Sequence, residues 1–212
     1  MWGFLESLLD LIAPRKERTM HLARYDASEL MPYPHVTMFG AMEIVSLSSY
    51  KTRAVEDCIR ALKYDDAPRA ARLLATLLAE YLREDLGSAR TLSPRMPLII
   101  PVPLHPRREQ ERGFNQIARV VAALPPDLAS LAYRGPPALI RTRETTAQTA
   151  LSRAERLENV RGAFAIGDPD AFREAHVYLI DDVTTTGATL AAAAAPLHAL
   201  GIPTTAIALA RA

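Results

Sequence analysis

Residues 177–189, Val-Tyr-Leu-Ile-Asp-Asp-Val-Thr-Thr-Thr-Gly-Ala-Thr, constrain the fold more than any other stretch of this chain. Four apolar residues, Val177 to Ile180, suit a strand buried on both faces, as in a parallel sheet covered by helices. Two adjacent carboxylates, Asp181 and Asp182, come next, then hydroxyls around Gly187, then an alanine-rich segment, residues 188–195, with high helix propensity. Strand, acid pair, Thr/Gly loop and helix in that order describe a turn that cradles phosphate. Loop amides and the positive end of the helix attract an anion, the dipole alone contributing about 0.3–1 kcal/mol. The carboxylates would repel that anion, so they must serve another part of the ligand, either sugar hydroxyls or a developing cation. A sugar phosphate satisfies both halves. A buried strand followed by an ordinary polar turn would not need this order of residue types.

The chain of 212 residues is long enough for one full core with a small appendage. Lys and Arg number 25 against 24 Asp and Glu, a net charge of +1, so the strongly basic footprint of a dedicated nucleic-acid binder is excluded. Any DNA contact would have to be local or borrowed from a partner. The single cysteine, Cys58, excludes an internal disulfide framework and a cysteine-rich zinc site, and it suits a reducing, cytoplasmic setting. We expect it as a core or interface thiol. The apolar opening, residues 1–14, lacks a basic leading region, is interrupted by Glu6 and Asp10, and is too short to span a bilayer. Trp2, Leu5, Leu8, Leu9 and Ile12 fall near helical spacing, which predicts a short amphipathic helix docked on the body or on a second subunit.

Residues 14–40 hold no sustained period and contain Pro14, Pro32 and Pro34, so an irregular connector is expected. Residues 43–50 suit a strand and 52–63 a helix. A second helix should follow an Asp66 cap, with Pro68 in its first turn and Ala70, Leu73, Leu74, Leu77, Leu78 and Tyr81 on one face. Residues 96–102, Met-Pro-Leu-Ile-Ile-Pro-Val, predict another central strand. It runs into Pro103, Leu104, His105, Pro106, Arg107 and Arg108, whose prolines should stop regular structure. Ligands of parallel α/β sheets gather beyond the carboxyl ends of the strands, so this loop belongs beside the one after Ile180. A helix is expected at residues 117–124.

Residues 141–162 carry Arg141, Arg143, Arg153, Arg156 and Arg161 around a polar stretch, 145–151, that suits a mobile loop. Ser152 and Glu155 have the spacing of a capping box, which would start a helix there. Pro196 should kink or end the last helix early. Gly201 suits the position after its end, and residues 204–210 form the final strand.

The segment 177–189 resembles the phosphoribosyl pyrophosphate (PRPP) signature of type I phosphoribosyltransferases. The chain as a whole is similar to the ComF family, phosphoribosyltransferase-like proteins linked to competence for DNA uptake. That resemblance is carried by Ala61-Leu62-Lys63-Tyr64, by residues 101–108, by Glu111-Arg112-Gly113-Phe114-Asn115-Gln116, by Leu151-Ser152-Arg153-Ala154-Glu155-Arg156, by Asn159-Val160-Arg161-Gly162-Ala163-Phe164 and by the PRPP segment. These stretches cover roughly residues 55–212, in the family's order.

The resemblance implies an α/β, type I phosphoribosyltransferase-like fold: a central, mainly parallel β-sheet flanked by helices over residues 43–212, with a small helical or irregular appendage at residues 1–42. It implies that Asp181 and Asp182 hold the ribose 2′ and 3′ hydroxyls. Thr184, Thr185, Thr186, Gly187, Ala188 and Thr189 would line the 5′-phosphate loop. Pro103, Leu104, His105, Arg107, Arg108, Arg141 and Arg143 would face the pyrophosphate, with Asp181, Asp182 and Arg153 serving the chemistry and magnesium arriving with the PRPP. Phe114, Asn115 and Gln116 either face the acceptor or cap the following helix. Relatives commonly carry a four-cysteine zinc module near the N-terminus, whereas here Arg15-Lys16-Glu17-Arg18 follows Pro14. His21 and His35 fall short of the four ligands of a structural zinc site, so no zinc is expected. Two other classes stay open: a non-catalytic PRPP or nucleotide sensor, and an accessory protein that binds single-stranded DNA or a DNA-uptake helicase. A homodimer is also open.

Overall fold

The computed structural model describes residues 19, 21–30, 32–89, 95–143 and 160–212. The expected N-terminal helix, the 145–151 loop, the Ser152 capping box and Arg153 lie outside the described residues.

Among the described residues the chain is an α/β fold around a five-stranded mixed sheet, mostly parallel, with flanking helices. The strands are β1 (His35–Phe39), β2 (Met42–Ser46), β3 (Met96–Pro101), β6 (Ala175–Thr184) and β7 (Thr204–Arg211), in the spatial order β1-β2-β7-β6-β3. Only β1 runs antiparallel to its neighbour; β2, β7, β6 and β3 are mutually parallel. The other two strands, β4 (Leu139–Arg141) and β5 (Phe164–Ile166), form a separate antiparallel ribbon.

Alternation along β6 assigns its residues to two cores. Tyr178 and Ile180 join Ile59, Leu62, Leu74, Leu78 and Val120 on one side, where α1 (Arg53–Asp65), α2 (Pro68–Ala89), α4 (Gln116–Ala122) and the short α5 (Pro126–Ala129) pack. Val177 and Leu179 join Leu139, Phe164, Leu190 and Leu197 on the other, under α6 (Ala188–Ala199) and the ribbon. Burial of each such side chain stabilises the fold by about 1.5–3 kcal/mol, and coverage of both faces explains the unbroken apolar run of β6. Cys58 is buried in the first core, where burial pushes its thiol up to about 12.

The structure departs from sequence expectation at six places. β3, expected as a central strand, lies at the edge of the five-stranded sheet, beside β6 alone. The supposed connector holds β1, because its β-hairpin with β2 supplies pairing that no period announces. Asp66 ends α1 in a left-handed conformation instead of capping α2; Arg119 holds its carboxylate at 2.9 and 3.1 Å. The prolines after β3 do not stop regular structure: Pro106 opens the short helix α3 (Pro106–Arg112), a first-turn position where a missing N–H costs nothing. Pro196 does not end α6 early, since the fully buried Leu197 pins the last turn. Finally, β6 continues past Ile180 to Thr184, so both carboxylates belong to the strand and not to a loop.

Candidate ligand site at the carboxyl end of β6

β3 pairs with β6 only as far as Pro101 and Ile180, and the Val102 amide donates to the Ile180 carbonyl at 2.8 Å. Beyond that point β6 keeps β7 on one flank, and on the other the chain of β3 turns away into residues 103–108. The acid pair thus stands at a notch in the rim, the place where parallel sheets hold ligands.

Strand alternation sends the two carboxylates to opposite faces. Asp182 continues the Tyr178 and Ile180 face. Lys63 Nζ, from the last turn of α1, lies 2.7 Å from its Oδ2, and Gln116 Nε2, in the first turn of α4, donates to the same oxygen at 2.9 Å. The Val183 amide donates to Oδ1 at 2.6 Å. Arg112 in turn donates to Gln116 Oε1. Burial by itself raises Asp182, but the Lys63 charge, its hydrogen bond and that of Gln116 outweigh burial and hold the carboxyl below its ordinary value. The same pairing overcomes burial at Lys63 and raises the ammonium.

Asp181 continues the Val177 and Leu179 face and remains partly open to solvent. Its Oδ1 accepts the Asp182 amide at 2.9 Å. Burial first, then the charge of Asp182, pushes it up to about 7. Arg141 of β4 stands within electrostatic reach: burial and Arg108 lower its guanidinium, while Asp181 raises it. The guanidinium carbon of Arg141 lies 5.2 Å from the Phe164 ring centroid, a geometry that lets the ring face support the cation.

After Thr184 the chain turns through Gly187 into α6. Thr184 Oγ1 accepts the Gly187 amide at 2.9 Å, and Thr186 Oγ1 accepts the Ala188 amide at 3.4 Å. Gly187 has φ +85°, and a Cβ there would come within 2.2 Å of Ile44 Cδ1. The positive φ favours glycine, and a Cβ there would force the tip of Ile44 to shift. Thr185 and Thr189 border the same turn. On the neighbouring loop, His105 caps α3, its Nδ1 accepting the Arg107 amide at 3.3 Å. Pro103 and Leu104 are partly buried beside it. Asn115 ties this loop to α4, donating to the Val102 carbonyl at 2.9 Å while its Oδ1 accepts the Ile117 and Ala118 amides.

Of the residues singled out from sequence, the structure brings Arg141 within electrostatic reach of both Asp181 and Arg108, with the Thr/Gly turn at the end of the Asp181 strand. Arg107 pairs with Glu111 at 3.1 Å on the exposed side of α3, and Arg143 donates to the Arg161 carbonyl at 2.8 Å. Asp182 faces Lys63 and Gln116 instead of the arginines. Sequence reasoning gave Lys63 no role, and it offered Gln116 only as an acceptor contact or a helix cap. The signal that could have found them is the period of two along β6, which separates neighbouring carboxylates, together with Lys63 in the last turn of a helix on one face. Among the described residues no group of three His, Cys, Asp or Glu side chains could hold a metal ion, and no helix is long and apolar enough to cross a membrane.

Comparison with known proteins then places the chain. It is 37% identical over 134 residues to the DNA utilization protein YhgH of Escherichia coli K12, 63% of this chain and 56% of that protein. It is 32% identical over 151 residues to competence protein F of Haemophilus influenzae, covering 68% and 62%. The chain belongs to the ComF family. A more distant member, competence protein ComFC of Streptococcus pneumoniae, is 30% identical over 138 residues, 65% of this chain and 54% of that protein. The chain thus spans little more than half the length of the curated family members it matches. No model in a scan of protein families matches it.

Proposed function

We propose that this ComF protein binds Mg-PRPP at the carboxyl end of β6, on a type I phosphoribosyltransferase-like fold, and transfers the 5-phosphoribosyl group with release of pyrophosphate. The reading is carried by one arrangement: an acid pair and a Thr/Gly turn at the end of a buried parallel strand, with Arg141 of β4 within electrostatic reach of Asp181 and Arg108 within reach of Arg141. The ribose hydroxyls go to the acid pair and the 5′-phosphate to the turn before α6. The arginines counter the charge that develops on departing pyrophosphate, while a carboxylate beside the ribose favours its oxocarbenium character. Magnesium comes as part of the substrate and neutralises pyrophosphate oxygens; in the proposed complex it needs no dedicated protein cage.

The names of the relatives, DNA utilization protein and competence protein, support a role in handling incoming DNA. They also favour a second reading, in which the chain is an accessory protein for single-stranded DNA or its helicase and the ligand site is a sensor. Calorimetry with Mg-PRPP, followed by a screen of nucleobases and amines for pyrophosphate release, separates the two. We expect binding by the wild type and none by the Asp181→Asn, Asp182→Asn double variant. Equal affinity in both proteins removes the site assignment. Salt-dependent DNA binding indifferent to that double variant supports the accessory role.

A further inference from the structure

We infer that the acid pair is functionally unequal: Asp181 meets the ligand, and Asp182 is a positioning residue that Lys63 and Gln116 hold in place. This inference rests on the Mg-PRPP reading and divides the task that the reading gives to both residues.

The geometry carries it. Both oxygens of Asp182 are engaged by the protein itself, Oδ2 by Lys63 Nζ at 2.7 Å and Gln116 Nε2 at 2.9 Å, and Oδ1 by the Val183 amide at 2.6 Å. Three donors, one of them a cation, already occupy the carboxylate, and the residue is only 8% exposed, so at most one acceptor position on Oδ1 is left for a sugar hydroxyl. Charge-assisted donors are about twice as strong as neutral ones, so a hydroxyl does not displace Lys63. Asp181 is on the other face of the strand, partly open, and on the side of Arg141. A carboxylate that accepts a backbone amide on one oxygen keeps capacity for a ribose hydroxyl on the other.

The arrangement also explains why the second acid is present at all. Lys63 ends α1, Gln116 begins α4, and both converge on β6 one residue after Asp181. Asp182 therefore fastens two helices to the strand at the point where the ligand-facing carboxylate leaves it. Its pull on the Val183 amide sets the entry of the chain into the Thr184 turn, where the Thr184 hydroxyl accepts the Gly187 amide. Loss of Lys63 would release Asp182 to turn, and Asp181 and the phosphate turn would lose their frame without losing any ligand contact.

The test is calorimetric titration of Mg-PRPP into the full chain and its variants, each with a thermal melt. Asp181→Asn should weaken binding by about tenfold or more without lowering the melting temperature. Lys63→Met should lower the melting temperature and weaken binding by about fivefold, and Lys63→Arg, which keeps the charge, should restore most of the affinity. Asp182→Asn combined with Lys63→Met should be no worse than the worse single variant, since both remove one contact. Gln116→Leu, a milder change than either, should move both readouts in the same direction as Lys63→Met. The inference is overturned if Asp182→Asn weakens binding as much as Asp181→Asn at an unchanged melting temperature, or if Lys63→Arg fails to rescue. Absence of Mg-PRPP binding by the wild type would overturn the ligand reading itself and this division with it, a result distinct from equal losses in the two aspartate variants.

Discussion

The two ends of β6 each hold a carboxylate against the same face of the strand, and they use it differently. Toward the amino end, Asp85 of α2 accepts the hydroxyl of the fully buried Tyr178 at 2.7 Å and that of Tyr81 at 3.3 Å. Burial first, then Asp85, raises both phenols. Four residues further along, Asp182 takes an ammonium and an amide, and a second carboxylate stands beside it on the opposite face. The first carboxylate is surrounded by neutral donors and stitches a helix to the sheet. The second is neutralised by a cation, while its neighbour Asp181, on the opposite face, accepts a backbone amide and has Arg141 within electrostatic reach. A buried acid is thus a mark of function only when the groups around it are organised for a further, absent partner.

The comparison can be broken at either end. Asp182→Ala leaves the Lys63 ammonium, whose side chain is 25% exposed, without its counter-ion, and should cost about 2–4 kcal/mol in urea denaturation. A loss no greater than that of an ordinary surface substitution would end the claim that this pair frames the site. Asp85→Ala should cost less, about 1–3 kcal/mol, since it strands two hydroxyls instead of a charge. Calorimetry should show its Mg-PRPP affinity unchanged; a drop there would mean that the amino end belongs to the site as well.

The smallest effect is the most discriminating. Asp181 is raised in the folded protein, so the stability its neutral form contributes is complete below the unfolded carboxylate value and is lost as pH rises through the folded one, near 7. Asn at position 181 stays neutral, and Asp181→Asn should therefore gain about 1 kcal/mol at pH 8, roughly 2–4 °C in melting temperature. The gain should vanish near pH 4. Asp182 has the opposite sign: its value is lowered, so its contribution is present above the unfolded carboxylate value and disappears as pH falls through the folded one. Melting curves in which Asp181→Asn destabilises at pH 8 would show that the carboxylate is satisfied by the protein and not reserved for a ligand.

Local chemistry made much of the molecule legible. The unbroken apolar runs around Leu179 and Ile99 announced strands because both faces of a parallel sheet are covered, although only β6 is central and β3 lies at the sheet edge. The helical spacing of Ala70, Leu74, Leu77 and Leu78 announced α2, and Gly187 marked the turn before α6, where φ is positive. Strand β1 was not legible, because an edge strand owes its existence to hydrogen bonds with a neighbour and carries little period of its own: Val36 and Met38 remain about half exposed. The helix after Pro106 was missed for a related reason, since proline forbids the interior of a helix and favours its first turn, and only the cap from His105 tells the two apart.

For this protein the sequence by itself determined the order of chemistry along the β6 rim, since acid pair, hydroxyls and glycine follow one another within a single stretch. Tertiary structure alone decided which acid pairs with Lys63. Asp181 and Asp182 are adjacent and chemically identical, and what separates them is the alternation of a strand between two cores, with Lys63 from a helix 119 residues earlier waiting on one side and Arg141 on the other. Neither partner has a position along the chain that points to the strand, because only packing brings them there.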